Sequence, residues 1–211
     1  MKKLLKTRIS ILLAILILCF GGLAQASPIT IEISGVVTSA SGSGLPSTIY
    51  KDVNFTGTYT YESSTDDSGG GHHIHDAPYG ITISVGGYEF KTAPNHIGQF
   101  DMWIINDDPV NGLHDYYIVF SDENVSIPSI GPTIGYIRWD LRDSTYDALS
   151  SGNLPATAPV LSDWDYNVLE IYGFGLGGLT INGTVTQAVL VPEPLTSFLM
   201  MAGVLFLRRR R

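Results

Sequence analysis

The densest group of possible metal ligands in the sequence is the run His72-His73-Ile74-His75-Asp76, which follows three glycines. Imidazole nitrogens bind borderline metals such as zinc, copper and nickel, and His73 and His75 point the same way if the run is extended. The flanking glycines fix no geometry, and no group that would orient a metal-bound imidazole is evident. We interpret the run as a solvated polar loop, with a transition-metal site at His72, His73 and His75 as the alternative.

A second group offers oxygen ligands around a turn at residues 106–115. Calcium takes six to eight oxygens, and extracellular modules function with weak sites. The spacing does not match an EF-hand, and Asp, Asn and Gly also serve ordinary turns. An inter-strand loop therefore explains the same residues, and we expect no cofactor, with calcium as the alternative at this turn. The acidic run Asp140-Leu141-Arg142-Asp143 could join such a site in space. The calcium ligands of this hypothesis are Asp107, Asp108, Asn111 and Asp115.

Catalytic signatures are missing from the sequence. There is no Gly-x-Ser-x-Gly, no His-Glu-x-x-His and no phosphate-binding loop with lysine. Among 19 acidic residues between positions 27 and 190, a close carboxylate pair is expected by chance and does not indicate a hydrolase. We therefore expect a protein that is not an enzyme, and a binding or structural role is the better class. Trp103, Trp139 and Trp164 could stack on sugar rings, although such residues are more often core.

The charge is unevenly distributed along the 211 residues. Residues 27–190 carry 19 acidic residues against four basic ones, a net charge of −15. This charge argues against binding to nucleic acid or to an anionic membrane surface. The chain also has 11 Tyr, 8 Phe and 3 Trp, enough to form a core, and the length of the segment fits one domain.

The elements that would position these side chains are strands, because the hydrophobic periodicity between the two ends is two. Residues 29–34 and 82–85 alternate cleanly, and Gly86-Gly87 joins the second run to residues 88–91 as a hairpin. No segment indicates a long helix. The sequence predicts an all-β fold, an antiparallel β-sandwich or jelly-roll-like exported domain over residues 27–190. Further strands are predicted at 53–61, 100–105, 116–121, 136–141, 168–172 and 179–190.

The N-terminus has the three parts of a secretory signal peptide, residues 1–26. Basic residues come first, an apolar run follows from Ile11 to Phe20, and the small residues Ala24 and Ala26 form the cleavage site. We expect export through the Sec translocon and cleavage by signal peptidase after Ala26. The single cysteine, Cys19, is removed with this segment, so the mature domain has no thiol and no disulfide.

The C-terminus, residues 191–211, also reads as a signal. After Val191 come Pro192-Glu193-Pro194, then a largely apolar run from Leu195 to Leu207, then the four arginines Arg208, Arg209, Arg210 and Arg211. The apolar run predicts a single membrane helix of about 20 Å, short of a bilayer core of about 30 Å. The arginines hold the end of the chain in the cytoplasm, and the prolines keep the preceding motif extended.

This C-terminus resembles the PEP-CTERM sorting signal that exosortases recognise in Gram-negative bacteria. The resemblance consists of Pro-Glu-Pro, a short apolar helix and a terminal arginine cluster, in a chain that opens with a signal peptide. The resemblance covers about the last 20 residues, and the apolar run is short and contains Thr196 and Ser197. It implies retention in the inner membrane as a precursor, cleavage near the motif by exosortase, and delivery to the cell surface or beyond, often alongside exopolysaccharide.

Together these features predict an exported surface or extracellular-matrix protein with a structural or interaction role, associated with exopolysaccharide. A carbohydrate-binding or calcium-binding β-sandwich module is the alternative, and a glycan-active hydrolase is the less favoured one. The expected partners are exosortase, the Sec translocon, signal peptidase and exopolysaccharide, and no nucleic acid.

Overall fold

The structure, a computed structural model, describes residues 28–106, 114–175 and 177–192. Within these ranges the chain is all-β, with a 3-10 turn at Leu161–Asp163 as the helical element. None of the described residues form a helix long and apolar enough to cross a membrane. The strands are β1 (Pro28–Ser41), β2 (Asn54–Glu62), β3 (His72–His75), β4 (Gly80–Val85), β5 (Tyr88–Thr92), β6 (Phe100–Ile105), β7 (Asp115–Ser121), β8 (Asn124–Ile127), β9 (Thr133–Asp143), β10 (Tyr166–Phe174) and β11 (Leu179–Leu190).

All eleven strands in the described ranges belong to one hydrogen-bonded sheet. Their order is β3-β6-β7-β9-β10-β11-β1-β2-β4-β5-β8, and every neighbouring pair is antiparallel. The two longest pairing partners, β1 and β11, lie at its centre and bring both ends of the described chain together. The backbone N–H of Val191 donates to the carbonyl oxygen of Thr30 at 2.9 Å.

The sheet curls until its two halves face each other. Tyr59 on β2 and Tyr117 on β7 are separated by four strands in the sheet order, yet their hydroxyl oxygens are 2.7 Å apart. The ring of Tyr59 also lies 5.8 Å from that of Trp139 on β9. The core therefore lies inside one continuous sheet. The prediction of an antiparallel all-β fold is confirmed, whereas the two separate sheets of a sandwich are not seen among the described strands.

Alternating burial explains why these segments are strands. β2 alternates between exposed and buried positions along its length, and β6 does so from Phe100 onward. The inward side chains form the core, in which Trp139, Tyr59, Tyr61, Tyr117, Phe90 and Phe100 are among the largest that are fully buried. Apolar side chains on alternate positions thus account for both the strands and the curl that covers their inner face.

The predicted hairpin at Gly86-Gly87 is confirmed. Both glycines have positive φ, +58° and +86°, as a two-residue hairpin turn requires. A Cβ on Gly86 would also lie 2.8 Å from the carbonyl oxygen of Thr48, so this position has neither the conformation nor the space for a side chain.

Two strands were not predicted. β8 (Asn124–Ile127) has only four residues, which is too few for a clear alternation. β3 (His72–His75) falls in the run that we interpreted as a solvated loop, and that interpretation is wrong. The backbone of β3 pairs with β6 in register, from His72 opposite Trp103 to His75 opposite Phe100. This pairing gives the backbone N–H and C=O groups of the run hydrogen-bond partners that the sequence alone does not reveal.

Candidate functional site

The histidine strand β3 divides its imidazoles between two faces of the sheet. His73 and His75 point inward and are 3% and 2% exposed, as alternation in an extended run requires, while His72 points outward. The ring nitrogens of His73 lie 3.0 Å from the carbonyl oxygen of Thr65 and 3.1 Å from that of Gly152. Each ring nitrogen of His73 therefore lies beside a loop carbonyl oxygen, and the three histidines do not converge on one point.

His75 is held in an aromatic environment. Its ring lies 6.3 Å from that of Tyr61, 5.7 Å from Tyr79 and 5.6 Å from Phe100. Burial lowers the pKa of His75, and the carbonyl oxygen of Glu62, 3.4 Å from Nε2, only partly offsets this. In the described ranges no three or more His, Cys, Asp or Glu side chains are grouped so as to hold a metal ion.

Of the four residues in the calcium hypothesis, only Asp115 is described, because Asp107, Asp108 and Asn111 lie outside the described residues. Asp115 is fully buried, and its carboxylate accepts a hydrogen bond of 2.8 Å from the backbone N–H of Leu149. Its cross-strand partner on β9 is Asp143, so the structure does bring the second acidic run beside the first.

Asp143 organises the loop that follows β9. Its carboxylate accepts hydrogen bonds from the backbone N–H groups of Thr145, Asp147 and Ala148 at 2.9, 2.8 and 3.1 Å. Burial would raise the pKa of Asp143, but these hydrogen bonds favour the charged form more strongly and lower it. The loop geometry accounts for Asp143 and for Asp115 without a bound ion, and calcium binding stays a prediction.

The feature that the sequence did not indicate is a row of aromatic rings on the outside of the sheet. One ring projects outward from each of five consecutive strands. Neighbouring ring centroids along the row are separated by 4.3, 6.4, 6.1 and 5.2 Å. We call the outer side of β3, β6, β7, β9 and β10 the aromatic face, and its row consists of His72, Trp103, Phe120, Tyr136 and Tyr172.

Two arginines lie on the aromatic face, and both are ion-paired. Arg142 donates from Nε and Nη2 to the two carboxylate oxygens of Asp140, at 2.9 and 2.6 Å. Its guanidinium carbon lies 5.3 Å from the ring centre of Tyr116 and 4.8 Å from that of Tyr166. These contacts hold the guanidinium between two rings and make it a rigid donor.

Arg138 lies four residues before Arg142 on β9, with Asp140 between them. Its Nη2 lies 3.3 Å from Oε2 of Glu170 on β10, and its guanidinium carbon lies 6.0 Å from the ring centre of Tyr136. Arg138 and Arg142 are two of the four basic residues between positions 27 and 190. The aromatic face therefore combines apolar rings with fixed pairs of donors and acceptors.

The row ends beside a shallow depression of about 310 Å³. Tyr172 and Phe174 form one side of it and are 39% and 51% exposed. The other side is loop backbone that includes Gly42 and Gly177, both with positive φ. Two exposed rings thus stand next to glycine-containing loop segments at the end of the aromatic face.

The outer side of the other half of the sheet is different. Most of its outward positions on β2 and β4 carry small polar side chains, namely Asn54, Thr56, Thr58, Thr60, Thr82 and Ser84. The aromatic row is therefore a property of one half of the outer surface.

The structure separates the three tryptophans that we considered as sugar-stacking residues. Trp139 and Trp164 are buried in the core, at 0% and 8% exposure. Trp103 is half-buried in the aromatic row, and its indole N–H donates to the carboxylate of Asp101. Only Trp103 is available at the surface. For the rest of the row, the sequence contained one signal that could have been used. The run from Tyr116 to Phe120 on β7 has apolar side chains on both faces of the strand.

The residues assigned to the terminal signals are mostly outside the described ranges. Ala24, Ala26, Glu193, Pro194 and Arg208–Arg211 belong to this group. Val191 and Pro192 are described, and they directly follow the end of the central strand β11, where Val191 bonds to Thr30 of β1. Comparison of the chain with protein-family models, curated proteins and solved structures found no match.

Proposed function

We propose that this protein is exported, sorted by exosortase through its C-terminus, and acts at the cell surface or in the extracellular matrix as a non-enzymatic interaction protein associated with exopolysaccharide. The sorting part rests on the two terminal signals in the sequence. The interaction part rests on the aromatic face, the single observation that carries it.

The aromatic face favours the carbohydrate-binding alternative among those left open by the sequence. The exposed parts of aromatic rings offer apolar contacts to the C–H side of a sugar, and fixed carboxylates and guanidinium groups offer partners to its hydroxyls. Both kinds of group alternate here along neighbouring strands, since the Arg138–Glu170 pair follows the stacked Tyr136–Tyr172 pair on β9 and β10. The two halves of the curled sheet act like the layers of a sandwich and keep this outer surface rigid.

The placement of the chain ends is consistent with sorting of a folded domain. Thr30 lies four residues after the expected cleavage at Ala26, and it accepts a hydrogen bond from Val191, the residue before the Pro-Glu-Pro motif. The described chain therefore begins and ends at the same end of the domain. Pro192 lacks a backbone N–H and cannot continue the pairing.

Mass spectrometry of the mature protein in an exosortase-bearing host tests the sorting proposal. We expect an N-terminus at Ser27, a C-terminus at or near Pro192–Pro194 and no Arg208–Arg211. Replacing Pro192 and Pro194 with Ala allows the helix to extend through the motif, so the uncut precursor should accumulate in the inner membrane. Replacing the four arginines with Gln weakens retention instead, so the precursor should escape uncut. Surface protein that retains Arg208–Arg211 would contradict the proposal.

A further inference from the structure

We propose that the aromatic face is a binding site for an uncharged glycan chain, which lies across the strands along the aromatic row and ends at the depression beside Tyr172 and Phe174. This inference rests on the proposed association with exopolysaccharide and names its site and the chemical class of its ligand.

The spacing of the rings favours a chain ligand. The row has one ring on each of five adjacent strands, and with strands about 4.8 Å apart it extends over about 19 Å. A sugar ring in a linear glycan has a similar repeat, so successive sugars can lie over successive side chains of the row. The rings of His72 and Trp103, and those of Tyr136 and Tyr172, are stacked on each other, so the row offers ring edges along its length and the more exposed rings of Tyr172 and Phe174 at its end. The face is open along this direction, which suits an extended polymer better than a small molecule that needs enclosure.

The polar groups of the face are already in place for hydroxyl groups. Asp140 is 1% exposed and accepts both hydrogen bonds of Arg142, so the position of the guanidinium is fixed before a ligand arrives. The Arg138–Glu170 pair bridges β9 and β10 next to the stacked rings of Tyr136 and Tyr172. Binding to groups that are already ordered loses little side-chain entropy.

The charge of the face and of the whole domain favours an uncharged ligand. The face carries two arginines, Arg138 and Arg142, which pair with Asp140 and Glu170, and a third carboxylate, Asp101, beside His72. Residues 27–190 as a whole have a net charge of −15, which repels an acidic polysaccharide at long range. A neutral glycan meets no such repulsion.

A protein partner fits the face less well. The buried centres of protein interfaces are depleted in charged residues, and burying ion pairs under an apolar surface carries a large desolvation cost. Here the ion pairs of Arg138 and Arg142 lie within the face and not at its rim, on β9 between β7 and β10. Sugar hydroxyls can replace the water at these groups, whereas apolar side chains cannot.

The test is a binding assay with the full chain, purified in a detergent without a sugar head group. The probes are neutral polysaccharides (α- and β-linked glucans, a mannan, a galactan) and, for comparison, alginate and hyaluronate, all at 150 mM salt. We expect retention by at least one neutral glycan in affinity electrophoresis and weaker or no retention by the acidic ones. Stronger retention by an acidic polysaccharide, or none by any neutral one, would overturn the inference.

The variants locate the site. Tyr172→Ala with Phe174→Ala should weaken binding at least tenfold, because it removes the two exposed rings at the end of the row. Tyr50→Ala is the matched control, since Tyr50 is 61% exposed but lies outside the aromatic face. Unchanged binding in the double variant, or equal loss in the control, contradicts the site. Thermal unfolding verifies that each variant is folded. If the double variant is not folded, Phe174→Ala alone replaces it, and we then expect a smaller but measurable loss of glycan binding.

The sorting proposal fails separately. A chain that is cut at its C-terminal motif but binds no neutral glycan overturns only the present inference. A chain that binds a neutral glycan through Tyr172 and Phe174 but keeps Arg208–Arg211 at the surface overturns only the sorting proposal.

Discussion

The hydrogen bond between Tyr59 and Tyr117 gives a direct test of how the sheet curls. Their hydroxyl oxygens are 2.7 Å apart, and their side chains are 0% and 1% exposed. Because the two strands are far apart in the sheet, this contact exists only if β2 and β7 face each other across the core. Tyr59→Phe and Tyr117→Phe each remove one hydroxyl and leave the ring volume unchanged.

The expected cost follows from what each substitution leaves behind. A buried hydroxyl without its partner costs about 1–3 kcal/mol, so each single variant should lose that much free energy of unfolding. The double variant removes both hydroxyls and leaves neither unpaired. Its loss should therefore be smaller than the sum of the single losses, with a coupling energy of about 1 kcal/mol.

Urea unfolding monitored by tryptophan fluorescence measures these values, since Trp139 lies within 6.0 Å of both rings. For a domain of this size, 1 kcal/mol corresponds to about 2–4 °C in melting temperature, which gives a second readout. Tyr50→Phe is the control, because Tyr50 is exposed. Strictly additive single losses, within about 0.3 kcal/mol, would show that the hydroxyls do not meet and would refute the curled arrangement.

An alkaline titration gives an independent check of the same pair. Burial raises the pKa of Tyr59 and of Tyr117 well above the usual value, and the hydrogen bond between them only partly offsets this for Tyr59. Neither phenol should therefore ionise while the domain is folded. Ultraviolet absorbance should show the two groups titrating only together with unfolding, and early ionisation in the folded state would contradict their burial.

Four further predictions concern stability and ions. Burial lowers the pKa of His75, so the contribution of His75 to stability should be complete above about pH 6.5 and should fall as the pH drops from there toward the lowered pKa. His75→Phe should remove this pH dependence of the urea midpoint, and an unchanged dependence would contradict the prediction. Because the pKa of Asp143 is lowered in the folded state, its carboxylate stabilises the fold above about pH 3.9, and this stabilisation is lost as the pH falls through the lowered pKa. At pH 7, Asp143→Asn should lower the free energy of unfolding by about 1–3 kcal/mol, whereas Asp147→Asn, at an exposed residue, should change it almost not at all. Equal losses would contradict the role of Asp143 in the loop. Residues 27–190 should fold alone, with strand-type circular dichroism and cooperative unfolding; a mainly helical spectrum would sink the single-domain prediction. Calcium, if bound, should raise the melting temperature more than sodium chloride of equal ionic strength, and equal shifts would reject a specific site.

Most strands could be predicted because their signal is local. Residues such as Thr82–Val85 alternate over a few positions, and Gly86-Gly87 supplies the turn that a hairpin needs. β3 could not be predicted, since three histidines in four residues have no hydrophobic pattern and are buried only through partners on distant segments. The carbonyl oxygens beside the ring nitrogens of His73 belong to Thr65 and Gly152, which are 8 and 79 positions away in the sequence.

The strand order could not be predicted either, because it too depends on partners that are distant in the sequence. Alternation fixes which residues share a face, but it contains no information on which strand lies beside which. The central pair, β1 and β11, joins segments about 150 residues apart, and the β3–β6 edge depends on a four-residue strand. The sequence therefore predicted the class of the fold, while pairing across long distances determined that the sheet is continuous and curled.

The aromatic face shows what a local reading misses when both sides of a strand are apolar. On β7, Tyr117 and Val119 point into the core while Tyr116 and Phe120 point outward, so the sequence runs apolar without a break and offers no clue to which side is exposed. On the outer side of this strand Ile118 is still buried, at 6% exposure, whereas Phe120 is half-buried in the aromatic row, and Arg138 lies beside Tyr136 of the same row. This excess of outward apolar side chains beside paired charges is the physical reason to look for a ligand there, and it becomes visible only once the curl has defined the inside of the sheet.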